Sequence, residues 1–141
     1  MEEDIKAAAE MAVEQLRPLS GFDFGYTEQS VEWLEGYIER LRNSDEFASL
    51  DAKSSLIGVF GSFLGECIIR CYGGSWAKHE GAWCVAFNSA DMAFPFAKVA
   101  KQFDNGLSDG ISSFFRLIPI LFEGRASAQA PPPQERWWKI W

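Results

Sequence analysis

The chain has 141 residues, with 20 Asp and Glu against 13 Lys and Arg and a formal net charge of -7. That length suits one domain, 48% apolar and 15% aromatic residues exclude wholesale disorder, and a pI near 4.7 argues against a nucleic-acid partner. Three cysteines cannot complete a disulfide framework, and the acidic opening MEEDIKAAAEMAVEQ lacks the basic-then-apolar order of a secretion signal, so the expected compartment is the reducing cytoplasm.

The charge is uneven. Residues 1–50 hold twelve acids and four bases, a balance of -8, whereas residues 51–141 hold eight acids and nine bases, a balance of +1. Such asymmetry produces a one-signed surface that steers basic partners and also keeps a protein in solution.

In chain order, the first helix is expected over 3–17, with Ile5, Ala8, Ala9, Ala12, Val13 and Leu16 as its apolar stripe and Pro18 as its stop. A loop over 20–26 carries three aromatics and is expected to tuck against the body. Thr27 caps a second helix running to Arg42. Val31, Leu34, Ile38 and Leu41 form its buried face, and Glu28, Glu32, Glu35 and Glu39 spread over much of the remainder.

A third helix starts at Asp51 or Ser54 and ends near Tyr72. Leu56, Phe60, Phe63, Leu64, Cys67, Ile68 and Cys71 repeat at helical period, and Ile57, Val59 and Ile69 widen the stripe until the helix is apolar nearly all round, which marks a central buried helix. Its uninterrupted apolar run, 56–65, falls short of the roughly 18 residues a membrane span needs. Gly58, Gly61 and Gly65 share one side of it. Each costs about 1 kcal/mol relative to alanine, so a close neighbour is expected there, either another backbone or a ligand lying in the groove.

Residues 75–88 read as a hairpin turning at His79-Glu80-Gly81. Its second arm alternates large (Trp83, Val85, Phe87) with small (Ala82, Cys84, Ala86), and the small face is the one expected against the glycines. A third strand over 92–96 follows, with Pro95 placing it at the edge or ending it. A short helix spans 96–103. Ser108 can cap a last helix bearing Ile111, Phe114, Phe115 and Ile118, which Pro119 kinks or ends. The stretch ASAQAPPPQ over 126–134 has linker composition. It leads to RWWKIW, in which Trp137, Trp138 and Trp141 suit docking on the chain's own groove, on a partner or at a membrane interface, in that order.

Chemistry is sparse. Cys67, Cys71, His79 and Cys84 are four soft donors, but their spacing fits no zinc ribbon or finger, and the cysteines fall where core residues are expected, so they read as packing with no metal or cofactor. No G-x-S-x-G, P-loop or dinucleotide motif occurs. Glu66 and Arg70, four residues apart, read as an ion pair at the exposed end of the helix. The other reading makes them polar anchors of a pocket with Trp76 and His79.

The segments GSFLGECIIR (61–70), GGSW (73–76) and FPFAKV (94–99) together resemble a family of small bacterial proteins of unknown function that carry an L-G-E helix, a G-G-x-W turn and a short sheet. The resemblance covers about residues 55–118. It implies a bacterial cytosolic α+β domain and supplies no catalytic residues. In size and charge the chain is also similar to immunity proteins, which cover a toxin's active surface.

The expected architecture is therefore α+β: helices on a small antiparallel sheet of about three strands, with the glycine-bearing helix at the centre, one domain over 1–123 and a tail over 124–141. The expected function is non-enzymatic binding of a protein with a basic surface, without nucleic acid or membrane insertion. Glu28, Glu32, Glu35 and Glu39 would steer that partner, and Trp137, Trp138 and Trp141 would anchor it. The alternative is a small-ligand binder or enzyme using Glu66, Arg70, Trp76 and His79.

Overall fold

The computed structural model describes residues 2–44 and 50–123. Five helices pack with a three-stranded antiparallel sheet, so the α+β class holds. The expected tail over 124–141 lies outside the described residues.

Helix α1 (Glu2–Ser20) buries Ile5, Ala9, Ala12, Val13 and Leu16 and opens on three acids that suit the positive end of its dipole. It runs past Pro18, where it was expected to stop. A proline this close to the C-terminus removes only one backbone bond near the end of the helix, and the Ser20 hydroxyl donates to the Arg17 carbonyl at 2.9 Å. The loop that follows is tucked in as expected. Phe24 is fully buried, stacked on Phe63 at 4.9 Å and edge-on to Trp33 at 5.6 Å.

Thr27 caps helix α2 (Glu28–Arg42) by accepting from the Ser30 amide at 3.1 Å. Val31, Leu34 and Ile38 are buried; Leu41 is only half-buried.

Helix α3 (Leu50–Tyr72) is the centre, buried without a break from Phe60 to Ile68, with α1 and α4 packed along it. Cys71, expected in the core, points out of it. Residues 52–72 do have the length and composition of a membrane span, contrary to the expectation from the short apolar run, because Glu66 and Arg70 are too few to offset the hydropathy around them.

Strands β1 (Ser75–His79) and β2 (Ala82–Ala86) pair from Ser75 with Ala86 to His79 with Ala82. The two-residue turn Glu80-Gly81 has φ of 52° and 83°, the doubly left-handed geometry that matches strand twist. Strand β3 is only Met92–Ala93. It is shorter than expected because Pro95 opens helix α4 (Pro95–Asn105), where its missing N–H and preset φ cost nothing.

Gly106, at φ 78°, closes α4 and begins a 3-10 turn to Asp109. Helix α5 (Ile111–Ile118) follows, and Pro119 ends it in a wider turn. Ser108 is not its cap. The Gln102 side-chain carbonyl accepts from the Ile111 amide at 3.1 Å, and Glu35 of α2 accepts from the Ser112 amide at 3.0 Å and the Ser112 hydroxyl at 2.9 Å. The cap is thus supplied from two other helices.

The glycine side of α3 is filled by aromatic rings. A Cβ on Gly65 would overlap the Trp76 indole, and one on Gly61 would overlap Phe96 at the start of α4. The expected approach of the small sheet face is corrected: Trp76 shares its side of the sheet with Val85, its cross-strand partner, and so with Trp83, on the large face. Trp76 and Phe96 lie 5.8 Å apart, as neighbours in one row. A Cβ on Gly58 would meet nothing among the described residues.

These glycines should therefore respond oppositely to alanine. Gly65→Ala is expected to lower the stability read from the urea midpoint by about 1–3 kcal/mol, as overpacking outweighs the helix-propensity gain. Gly58→Ala is expected to raise it by up to about 1 kcal/mol. Stabilisation by both substitutions would contradict the packing described.

Candidate functional site

Three of the four expected pocket residues meet. Glu66 is 3% exposed, and its carboxylate accepts from the Trp76 indole N–H at 2.8 Å and from Arg70 Nε at 3.2 Å. The Arg70 guanidinium lies 3.8 Å from the centre of the Tyr26 ring and 3.7 Å from Glu10. Tyr26 donates to the same Glu10 oxygen at 2.7 Å. Burial, then the neighbouring Glu10 carboxylate, push the Tyr26 phenol above its ordinary range.

This chain of contacts joins α1, the 21–27 loop, α3 and β1. Glu66 is not at an exposed helix end, as the simple ion-pair reading had it; burial and the indole make it an anchor. Both of its oxygens are occupied, and the Trp76 ring fills the space over Gly65. His79 is elsewhere, 6.1 Å from the Phe94 ring and 3.9 Å from Glu80. The arrangement therefore locks a strand onto a helix and leaves no converging pocket of four side chains.

The acidic residues divide. Glu35 is drawn inward to Ser112, while Glu39 bonds the Gln102 amide at 3.0 Å and Arg42 at 3.4 Å. Neither is a solvated steering charge. Glu32 is exposed and pairs with Arg116 at 3.0 Å; Glu28 is exposed. On the same helix Trp33 and Tyr37 stack at 5.0 Å, with the exposed Arg40 guanidinium 5.5 Å from both rings. The sequence reading used neither aromatic, although their i, i+4 spacing and Arg40 three residues on were legible. Trp137, Trp138 and Trp141 lie outside the described residues.

The soft donors do not gather. Cys67 is buried in α3, Cys84 on β2 lies 3.9 Å from the Met92 sulfur, and Cys71 is exposed. Among the described residues no group of three His, Cys, Asp or Glu side chains is placed to hold a metal ion.

The described residues also form two concavities. One, of about 330 Å³, is an apolar hollow among Ala82, Trp83, Phe94, Phe96 and Ala97. The other, of about 200 Å³, lies between α4, the 3-10 turn and α5 and contains Lys98 and Asp109. Lys98 is 5% exposed, and its ammonium lies 3.5 Å from Asp109 and 6.0 Å from the centre of the Phe114 ring. Burial pushes the Lys98 ammonium down, and Asp109 opposes that shift. Asp109 is held below its usual range by the Asn105 amide and, less strongly, by Lys98. The sequence reading missed Lys98. Its signal was a lysine standing on the stripe of α4 that also carries Pro95, Val99, Gln102 and Phe103.

Compared with protein-family models, curated proteins and solved structures, the chain matches none of them.

Thiol reactivity checks the cysteine placement. In the native protein one equivalent of DTNB is expected to react, at Cys71, and more slowly than at a free thiol because partial burial and Glu28 raise its pKa. All three cysteines should react in denaturant. Reaction of two or three in the native state would contradict the burial of Cys67 and Cys84.

Proposed function

We propose that the chain is a non-enzymatic protein-binding protein whose partner presents a basic surface, with a bacterial toxin covered at its active face as the specific case. The observation that carries this reading is the placement of the acids. Glu2, Glu3, Asp4, Glu10, Glu14, Asp23, Glu28 and Glu32 are all exposed on α1, the loop and α2, and although Glu2, Asp23, Glu10 and Glu32 pair with Lys6, Arg17, Arg70 and Arg116, the acids on these elements outnumber the bases. Among residues 50–123, acids and bases nearly balance. A field of this sign raises the association rate of a basic protein and discourages acidic ones.

The Trp33, Tyr37 and Arg40 stack supports the same reading. These three residue types dominate binding hot spots, and here they are pre-stacked, so little side-chain entropy is lost on docking. It adds a second anchor to the one expected at Trp137, Trp138 and Trp141. Two further features favour a water-soluble cytoplasmic protein. The three cysteines are unpaired, and α3 spends its buried Glu66 on Trp76 and Arg70 with α1 and α4 packed along it.

The test is affinity capture with mass-spectrometric identification, using the unaltered chain, a Glu3→Lys/Glu14→Lys/Glu28→Lys variant and a Trp33→Ala/Arg40→Ala variant, each checked for native circular dichroism. One basic-surfaced protein is expected with the unaltered chain. With that protein purified, the charge variant should associate about tenfold more slowly and with a weaker salt dependence, and the anchor variant should dissociate about tenfold faster. A captured protein that binds all three alike, or one with an acidic contact surface, would overturn the proposal.

A further inference from the structure

The cavity between α4, the 3-10 turn and α5 contributes no carboxylate to the acidic set above and carries its own chemistry. Its floor is the buried Lys98 beside the Phe114 ring, and its rim is exposed at Leu107 and Ser113. From these features we infer that the cavity binds a small zwitterion, an α-amino acid with an apolar side chain, whose carboxylate meets Lys98 and whose ammonium meets Asp109.

Charge spacing is the first argument. The Lys98 ammonium and the Asp109 carboxylate lie 3.5 Å apart. In an α-amino acid the nitrogen and carboxylate oxygens are about 2.7–3.6 Å apart, from standard bond lengths and angles. A zwitterion laid alongside with reversed polarity therefore matches each charge of the pair with its opposite. The pair is long for a charge-assisted bond, which is closer to about 2.8 Å at its best, so Asp109 does not hold the ammonium tightly.

The second argument is exclusion. A simple anion drawn to Lys98 meets the Asp109 carboxylate, and a simple cation drawn to Asp109 meets the buried ammonium. Asp109 is fixed for its role: its Oδ2 accepts from the Asn105 amide at 2.7 Å, which leaves Oδ1 on the Lys98 side. The third argument is size and wall chemistry. About 200 Å³ falls below the roughly 300–1,000 Å³ usual for larger ligands. Leu107, Phe114 and Leu117 give an apolar side chain something to lie against.

The experiment is calorimetric and thermal-shift titration of the full chain with L-leucine, N-acetyl-L-leucine, L-leucinamide and inorganic phosphate, repeated on Lys98→Met and Asp109→Asn. L-leucine is expected to bind, and at about ten times its Kd to raise Tm by about 4 °C. The acetylated and amidated compounds, each lacking one charge, should bind at least tenfold more weakly, and phosphate should not bind. Each substitution should weaken L-leucine at least tenfold. Absence of L-leucine binding at 10 mM, equal binding of either one-charged analogue, or phosphate binding in its place would overturn the proposal. The ligand series on the unaltered protein decides the matter even where a substituted chain fails to fold.

Discussion

Trp76 is where the fold is tied together. Two adjacent residues of α3 act on one indole: Gly65 vacates the space the ring occupies, and Glu66 accepts its N–H. Neither works alone. A buried carboxylate without partners is strongly disfavoured, and three glycines in one helix are a net cost unless something fills the gap. Together they seat the first strand on the central helix, and the hairpin register then carries β2 and β3 into place.

From that joint the polar contacts spread outward. Arg70 continues from Glu66 to Tyr26 and Glu10, so the loop before α2 and the outer side of α1 are fastened to the same buried carboxylate. A second polar joint, built from Glu35, Glu39 and Gln102, fixes α2 against α4 and caps α5. Two of the expected steering charges are consumed there. The acidic surface that remains is that of α1 and the first turns of α2, together with Asp23, and the binding role proposed for it rests on exposure rather than on the total charge.

The helices were legible because their evidence is local. Thr27 precedes a periodic stripe, and 56–71 is apolar on nearly every side, so both were read within a few residues of their ends. The spacing of Gly61 and Gly65 marks a close-packed side of α3, but it does not name the occupant, which is aromatic side chains rather than the small sheet face. Alternation along β2 reveals two faces without saying which one meets the helix, and the deciding residue, Trp76, belongs to the other strand. Ser108 and Cys71 failed for a related reason. A cap supplied by Glu35, 77 residues away, leaves no local trace, and the helical period places Cys71 on the core stripe one turn beyond where burial ends. Of the pocket residues, the i, i+4 spacing of Glu66 and Arg70 was visible. Their meeting with Trp76, and the separation of His79, are tertiary facts. Lys98 is the reverse case: the sequence carries the stripe on which it stands, but a lysine is so rarely buried that periodicity alone does not mark it as a core position.

The most direct test of the joint is a double-mutant cycle on Glu66→Ala and Trp76→Phe, with stabilities from urea unfolding. Phenylalanine removes the N–H together with the outer ring atoms that lie over Gly65, and the cycle subtracts that packing loss because it occurs with and without Glu66. A coupling of about 1.5–3 kcal/mol is expected, the worth of a buried hydrogen bond to a charged group. Additivity within about 0.5 kcal/mol would mean that the carboxylate and the indole do not hold each other, and the account of this fold would lose its centre.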